Sequence, residues 1–344
     1  MSAMTDTGSP HGQAPAGPSR TGSGAGRGRG TGLRLRGMKW LIWRQHRAAY
    51  WTLLATTLVA VAVMVYERDQ MVTYLEGYGW PRLKPGWEER FDRVSLGLFA
   101  QLIGFTPIVI GVFLGAPLLA GDLESGTAKL VTTQSAGRVR WLTTKLGVTA
   151  LVVGVSTAAL SAAFTWWWSP VKSSSSVMDW SDGTAFDSSG PVPVGLTLLT
   201  LIGGVAIGML LRRTLLSMVV TLGFAVAVQV VWSRFRMSLG DAVTVNTSKG
   251  VGDDAFPKLP DSAHVLDQSY VTSSGDHIGW GSCSEATEKA TNACLDKAQV
   301  VGWHIEYIPI TQMSSMQWLG TSLLLALTAG VTAFVVLWGR KRVV

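Results

Sequence analysis

Six stretches of the chain, Ala48–Tyr66, Val94–Ala120, Leu146–Trp168, Val192–Leu211, Leu215–Trp232 and Trp318–Trp338, contain no Asp, Glu, Lys or Arg. Each matches, within a few residues, the roughly 20 apolar residues a helix needs to cross about 30 Å of hydrocarbon. Surface helices of a soluble fold carry a polar face; these stretches carry no charge at all, which argues against buried core helices of a large soluble domain. The sequence predicts an all-α integral membrane protein with six transmembrane helices. Composition agrees: 15% of the 344 residues are charged, against about 25% in soluble domains. The polar residues fall in blocks between the apolar runs.

Basic residues favour cytoplasmic loops, and here they give the spans a direction. With both termini cytoplasmic, the inner segments are 1–47, 121–145, the Arg212–Arg213 turn and 339–344. They hold 17 of the 29 Lys and Arg, but only Asp6, Asp122 and Glu124 of the 22 acids. Inverting the chain would reverse this bias. The net charge of +7 is thereby assigned to the inner membrane surface and not to nucleic acid. Trp166, Trp167 and Trp168 end the third span and Trp318 and Trp338 bracket the sixth, as in an interfacial aromatic belt. Arg340, Lys341 and Arg342 fix the last helix on the inner side.

Residues 1–32 are rich in Gly, Ser, Pro and Ala and carry almost no large apolar groups, which predicts a disordered cytoplasmic tail. Their basic region is too long for a signal peptide, and no small-residue cleavage site follows Tyr66. Over 33–47 the tail becomes basic and apolar together. In a helix Leu35, Met38, Leu41 and Ile42 share one side, and Arg36, Lys39, Arg44 and Arg47 lie mostly on the other. Trp40 and Trp43 fall among the basic residues. Two readings stand: an interfacial helix on the inner leaflet, or a flexible basic tail.

Outside the membrane the reading places 67–93, 169–191 and a large outer loop between helices 5 and 6, residues 233–317. The last, polar in composition, is expected as an irregular cap with some helix around Ser284–Gln299. It holds both cysteines, Cys283 and Cys294, too few for a disulfide framework or a four-ligand zinc site. An extracytoplasmic site permits oxidation, so a Cys283–Cys294 disulfide and two free thiols are the alternatives. Closing so short a loop stabilises by roughly 3 kcal/mol in the chain-entropy model.

The chain carries no G-x-x-x-x-G-K-[ST] phosphate loop and no H-E-x-x-H pair. His304 and Glu306 lack a useful metal spacing, and no metal site is expected. His264 near Asp267 reads as a chance assembly in a polar loop. No carboxylate lies within a span, where proton- and ion-coupled carriers usually keep one. Gln101 in the second span and Gln229 in the fifth are the main strongly polar interior groups. They either line a pathway or bond between helices.

One inner loop stands out, GAPLLAGDLESGTAKLVTTQSAGRVRWLTTK at 115–145: a polar turn, an amphipathic segment and a basic re-entry. Through Pro117, Leu118, Ala120, Asp122, Glu124, Gly126, Thr127, Leu130, Thr133, Gln134, Arg138, Arg140, Trp141, Leu142 and Lys145 it resembles the segment after the second span of ABC-2 type permeases, particularly those of high-GC Gram-positive bacteria. Gly121 stands where many relatives have arginine. Gly190 to Pro193, then Gly208, Arg212 to Thr214, Met218 and Thr221, give a second match, and Tyr307, Pro309 and Gln317 a third. In the third, Gln312, Met313 and Ser314 replace the usual Arg-aromatic run.

The resemblance implies a permease subunit in a bacterial cell membrane. It implies pairing with a second permease subunit, as homo- or heterodimer, and docking of a separate ATP-binding cassette ATPase. ATP and magnesium would sit on that partner, with no cofactor on this chain. It also implies an elbow helix before the first span, a capped loop between the fifth and sixth, and export. Coupling to the ATPase would fall to Asp122, Glu124, Gly126, Thr127, Thr133, Gln134, Arg138, Arg140 and Trp141. Two rivals remain at this stage: an ATP-independent channel or secondary carrier, and a non-transporting immunity or sensor protein.

Overall fold

The computed structural model describes residues 38–126 and 137–342. The expected tail 1–32, residues 33–37 of the basic segment, and Thr127, Thr133 and Gln134 lie outside the described residues.

Helix α1 covers Met38–Gly77 and leaves helical geometry at His46 (φ −109°, ψ 16°). It extends past the expected end at Tyr66 through Glu67, Arg68 and Asp69. Helix α2 covers Val94–Glu124. Pro107 and Pro117 each remove one ladder N–H, and between them the ladder shifts to a π turn at Gly111–Gly115. Helix α3 covers Arg138–Trp168, and a one-turn helix at Gly183–Phe186 precedes α4 (Val192–Leu211). A tight turn with Arg212 left-handed (φ 56°) reverses the chain into α5 (Thr214–Phe235). After the segment described below, α7 covers Met313–Arg342. Helices α1 to α5 and α7 are long and apolar enough to cross a membrane.

Helix α4 is the axis of the bundle, with α2, α3, α5 and α7 packed around it, and most of its residues are buried. Glycines set the closest approach. A Cβ on Gly115 would lie 2.6 Å from the Leu201 carbonyl oxygen, and one on Gly204 would lie 2.7 Å from that of Gly111. Helices meet this closely only through small residues. Three side chains then bond carbonyls of α2 at successive turns: Ser188 Oγ to Ala100 (2.6 Å), Gln229 Nε2 to Gly104 (2.9 Å) and Thr200 Oγ1 to Pro107 (2.7 Å).

The all-α expectation needs correction between α5 and α7. That segment holds a four-stranded antiparallel sheet in the order β1-β4-β2-β3. The strands are β1 (Val243–Asn246), β2 (His264–Thr272), β3 (His277–Gly279) and β4 (Val300–Ile308), with helix α6 (Glu288–Lys297) before β4. The cause is a period-2 pattern that polar composition obscures. Trp303, Ile305 and Tyr307 alternate along β4 and pack with Tyr270, Leu295 and Cys283 in a core of their own. Cys283 and Cys294 are joined by a disulfide that ties the turn after β3 to α6.

The tryptophans ending α3 also divide differently from the expected belt. Trp166 is exposed, with Arg68 3.9 Å above its ring. Trp167 and Trp168 are buried among Phe99, Phe164 and Leu96.

Candidate functional site

The inner-loop residues gather at the bundle end that carries the Arg212 turn. Asp122, two residues from the end of α2, receives the Lys145 ammonium of α3 at 2.5 Å, and the Lys145 side chain is completely buried. The other Asp122 oxygen accepts from Gln45 Nε2 at 3.1 Å, next to the break at His46. Lys145 also lies 5.4 Å from the Trp141 ring centre. One turn along each helix, the hydroxyls of Tyr50 and Thr149 meet at 2.6 Å. A buried charge persists only when paired and hydrogen-bonded, so this cluster fixes the break in α1 against the ends of α2 and α3.

Glu124 adds a fourth helix. Its Oε2 accepts from the Thr214 backbone N–H at 2.8 Å, satisfying an otherwise orphaned donor at the N-terminus of α5, where a carboxylate is favoured. Gly126 adopts φ +71°, a left-handed geometry that suits glycine, and there the described part of the loop stops.

Of the other expected coupling residues, Arg140 is exposed. The backbone of Arg138 opens α3; its side chain lies outside the described residues. Trp141 is buried (6% exposed) against Leu118, Leu142, Met209 and Val335, so it holds helices together and presents little surface to a partner. Lys145 entered the sequence reading only as a residue of the resemblance, and Gln45 and the Tyr50–Thr149 pair were not singled out. The available signal was the acid at 122 and the base at 145 flanking consecutive spans, which face each other once α2 and α3 run antiparallel.

Gln101 and Gln229 meet in a second place. Both line an open cleft of about 490 Å³ between α2 and α5, with Gly104, Phe105 and Val226 along its length. Gln229 lines the cleft and also bonds across to the Gly104 carbonyl of α2. Toward the sheet-bearing end the cleft reaches Asp187 and Arg236, paired at 2.9 Å. Trp232 Nε1 donates to the other Asp187 oxygen at 2.6 Å, and Arg236 reaches the Ser181 carbonyl at 3.2 Å. Burial raises the Asp187 carboxyl above the usual carboxylate range, and the Arg236 charge and the Trp232 indole oppose it.

Six helices long and apolar enough to cross a membrane, with charges kept to their ends and to the segments between them, define a multi-pass membrane protein. A family model described as ABC-2 membrane transporter related matches residues 54–236, which run from within α1 to the end of α5. The chain belongs to this family, and it is a membrane transporter permease of the ABC-2 kind, a family whose members are generally non-enzymatic transmembrane subunits that pair with an ATPase. No curated protein and no solved structure matches the chain.

Proposed function

We propose that the chain is the transmembrane subunit of an ATP-binding cassette exporter in a cell membrane. A separate subunit would bind ATP and magnesium and hydrolyse the nucleotide. In this reading both termini and the Arg212 turn face the cytoplasm, the sheet lies outside, and two permease subunits pair. The cargo path runs between them along α2 and α5, past Gln101 and Gln229.

The observation that carries the reading is the junction of Asp122, Lys145, Gln45 and Glu124. It ties the end of α2, from which the inner loop departs, directly to α1, α3 and α5. A force applied to that loop by a soluble partner reaches four spans through charged or hydrogen-bonded contacts. Exposed Arg140 at the start of α3 offers the partner a charge, and the net positive inner surface suits either the partner's acids or lipid headgroups.

The test is reconstitution with the co-purifying ATPase. Arg140→Glu and Glu124→Ala are expected to leave the complex assembled and hydrolysing ATP while transport falls at least tenfold. Wild-type transport by both variants would remove the assigned role. Transport by the purified permease alone, driven by a gradient, would instead support a secondary carrier.

A further inference from the structure

A large open groove of about 920 Å³ lies on the flank of the bundle between α3 and α7, apart from the α2–α5 cleft. Its two walls change character together. On α3 it starts at Ala158 and Ala162 and passes Thr165 before reaching Ser169 and Lys172. On α7 it starts at Leu325 and ends at Gln317 and Ser314. Both walls therefore turn from apolar to polar toward the sheet-bearing end. Ala158 to Trp168 is ten residues, about 15 Å of helix, which is half the depth of a hydrocarbon core of about 30 Å.

Charge and hydrogen bonding at the mouth point the same way. Lys172 is the ionisable residue of the lining, no carboxylate lines the groove, and no partner for the Lys172 ammonium is found among the described residues. Trp166 and Trp318, both exposed, flank the opening at the level where aromatic rings favour the membrane interface. Trp168 and Thr321 also line the groove, each almost fully buried, and Trp168 Nε1 and Thr321 Oγ1 have no hydrogen-bond partner among the described residues. Unmet buried donors are uncommon.

We propose that this groove binds one anionic glycerophospholipid from the leaflet on the sheet side. An acyl chain lies along Ala158, Ala162 and Leu325, the glycerol ester oxygens sit at the level of Trp168 and Thr321, and the phosphate faces Lys172. The ligand is a bound lipid and need not be cargo, so the proposal stands independently of the transport reading.

The test uses the full-length chain, purified in mild detergent and stripped of lipid. It is offered equal amounts of phosphatidylglycerol and phosphatidylcholine, and retained lipid is counted by native mass spectrometry. One phosphatidylglycerol is expected per chain in preference to phosphatidylcholine. Lys172→Gln should lower that preference about fivefold and Lys172→Arg should keep it. Ala162→Trp, which fills the apolar part, should lower retention of both lipids; if that variant does not elute as a folded protein, Ala158→Leu takes its place. An unchanged preference in Lys172→Gln, or unchanged retention with the groove filled, overturns the proposal. So does displacement of the lipid by glycerol phosphate at equal concentration, which would mark a site for free phosphate.

Discussion

Lys145 holds a fully buried ammonium, paired with the Asp122 carboxylate at 2.5 Å. Removing one member of a buried pair leaves the other uncompensated, which costs about 3 to 5 kcal/mol. Lys145→Met is therefore expected to lower the melting temperature in detergent sharply, and adding Asp122→Asn should restore part of the loss. Equal melting of Lys145→Met and wild type would mean the pair contributes no stability. Glu88 makes a different kind of contact, accepting from Ser174 Oγ at 2.5 Å. Hydrogen bonds from Ser174 and Ser176 hold its carboxyl below the usual value. A depressed acid adds stability above its unfolded pKa and loses it as pH falls through the folded one. Hydrogen exchange in residues 171–177 should accordingly rise as the pH is taken below the ordinary glutamate range, and Glu88→Gln should flatten that dependence. Neither contact was read from the sequence, although the acid and base flanking consecutive spans hinted at the first. Each joins residues far apart in the chain, and nothing in composition says which of several acids and bases will be neighbours. The burial of Trp141, assigned to coupling on the resemblance, is likewise not visible until α2 and α4 are seen to cover it.

Among the helices, α2 and α4 bring backbone against backbone with almost no room. Gly115→Ala places a methyl 2.6 Å from the Leu201 carbonyl oxygen and should lose about 1 to 3 kcal/mol through overpacking. Gly97, on the same helix, has nothing within 4 Å of such a methyl. Gly97→Ala should therefore be neutral or slightly stabilising, as expected for alanine in a helix. Thermal unfolding of the two variants in parallel checks this; equal losses would show that helix backbone, and not the close approach, sets the outcome. The spans themselves were legible because hydrocarbon excludes charge, a rule strict enough to survive without any knowledge of packing. The sheet was not, because Thr, Ser, Asp and Gly between its strands outweigh the alternation of Trp303, Ile305 and Tyr307. The bends in α1 and α2 were only partly legible. Pro107 and Pro117 announce a disturbed ladder, whereas His46 carries no such mark.

At the scale of the whole molecule, the bundle and the sheet have separate cores, so damage to one should spare the other. Replacing both Cys283 and Cys294 by alanine is expected to weaken the sheet segment by roughly 3 kcal/mol. Limited proteolysis should then cut within 243–308 while the melting of the helical bundle changes little; simultaneous loss of both would show a single cooperative unit. Orientation is tested on the same scale. A cysteine placed at exposed Ser274 in the Cys-free background should react with an impermeant maleimide on intact cells, and one placed at Arg212 should react only after lysis. The α2–α5 cleft with its two glutamines was partly legible, since strongly polar side chains are scarce in the spans. Its ion-paired end at Asp187 and Arg236 was not, because both residues read as ordinary members of outer loops.

The sheet is joined to the bundle covalently through α5 and α7, and it is also pinned to a third place. Trp180 Nε1 donates to the Ser262 carbonyl at 2.6 Å, and Ser262 Oγ donates to the Ser173 carbonyl at 2.6 Å. Three attachments, one of them on the link between α3 and α4, fix the tilt of a plate. If α5 moves relative to α3 during a transport cycle, the plate must tip or the Ser262 pin must release. Either event moves the sheet's free edge further than the spans beneath it, which makes that edge a natural pointer for a fluorescent label.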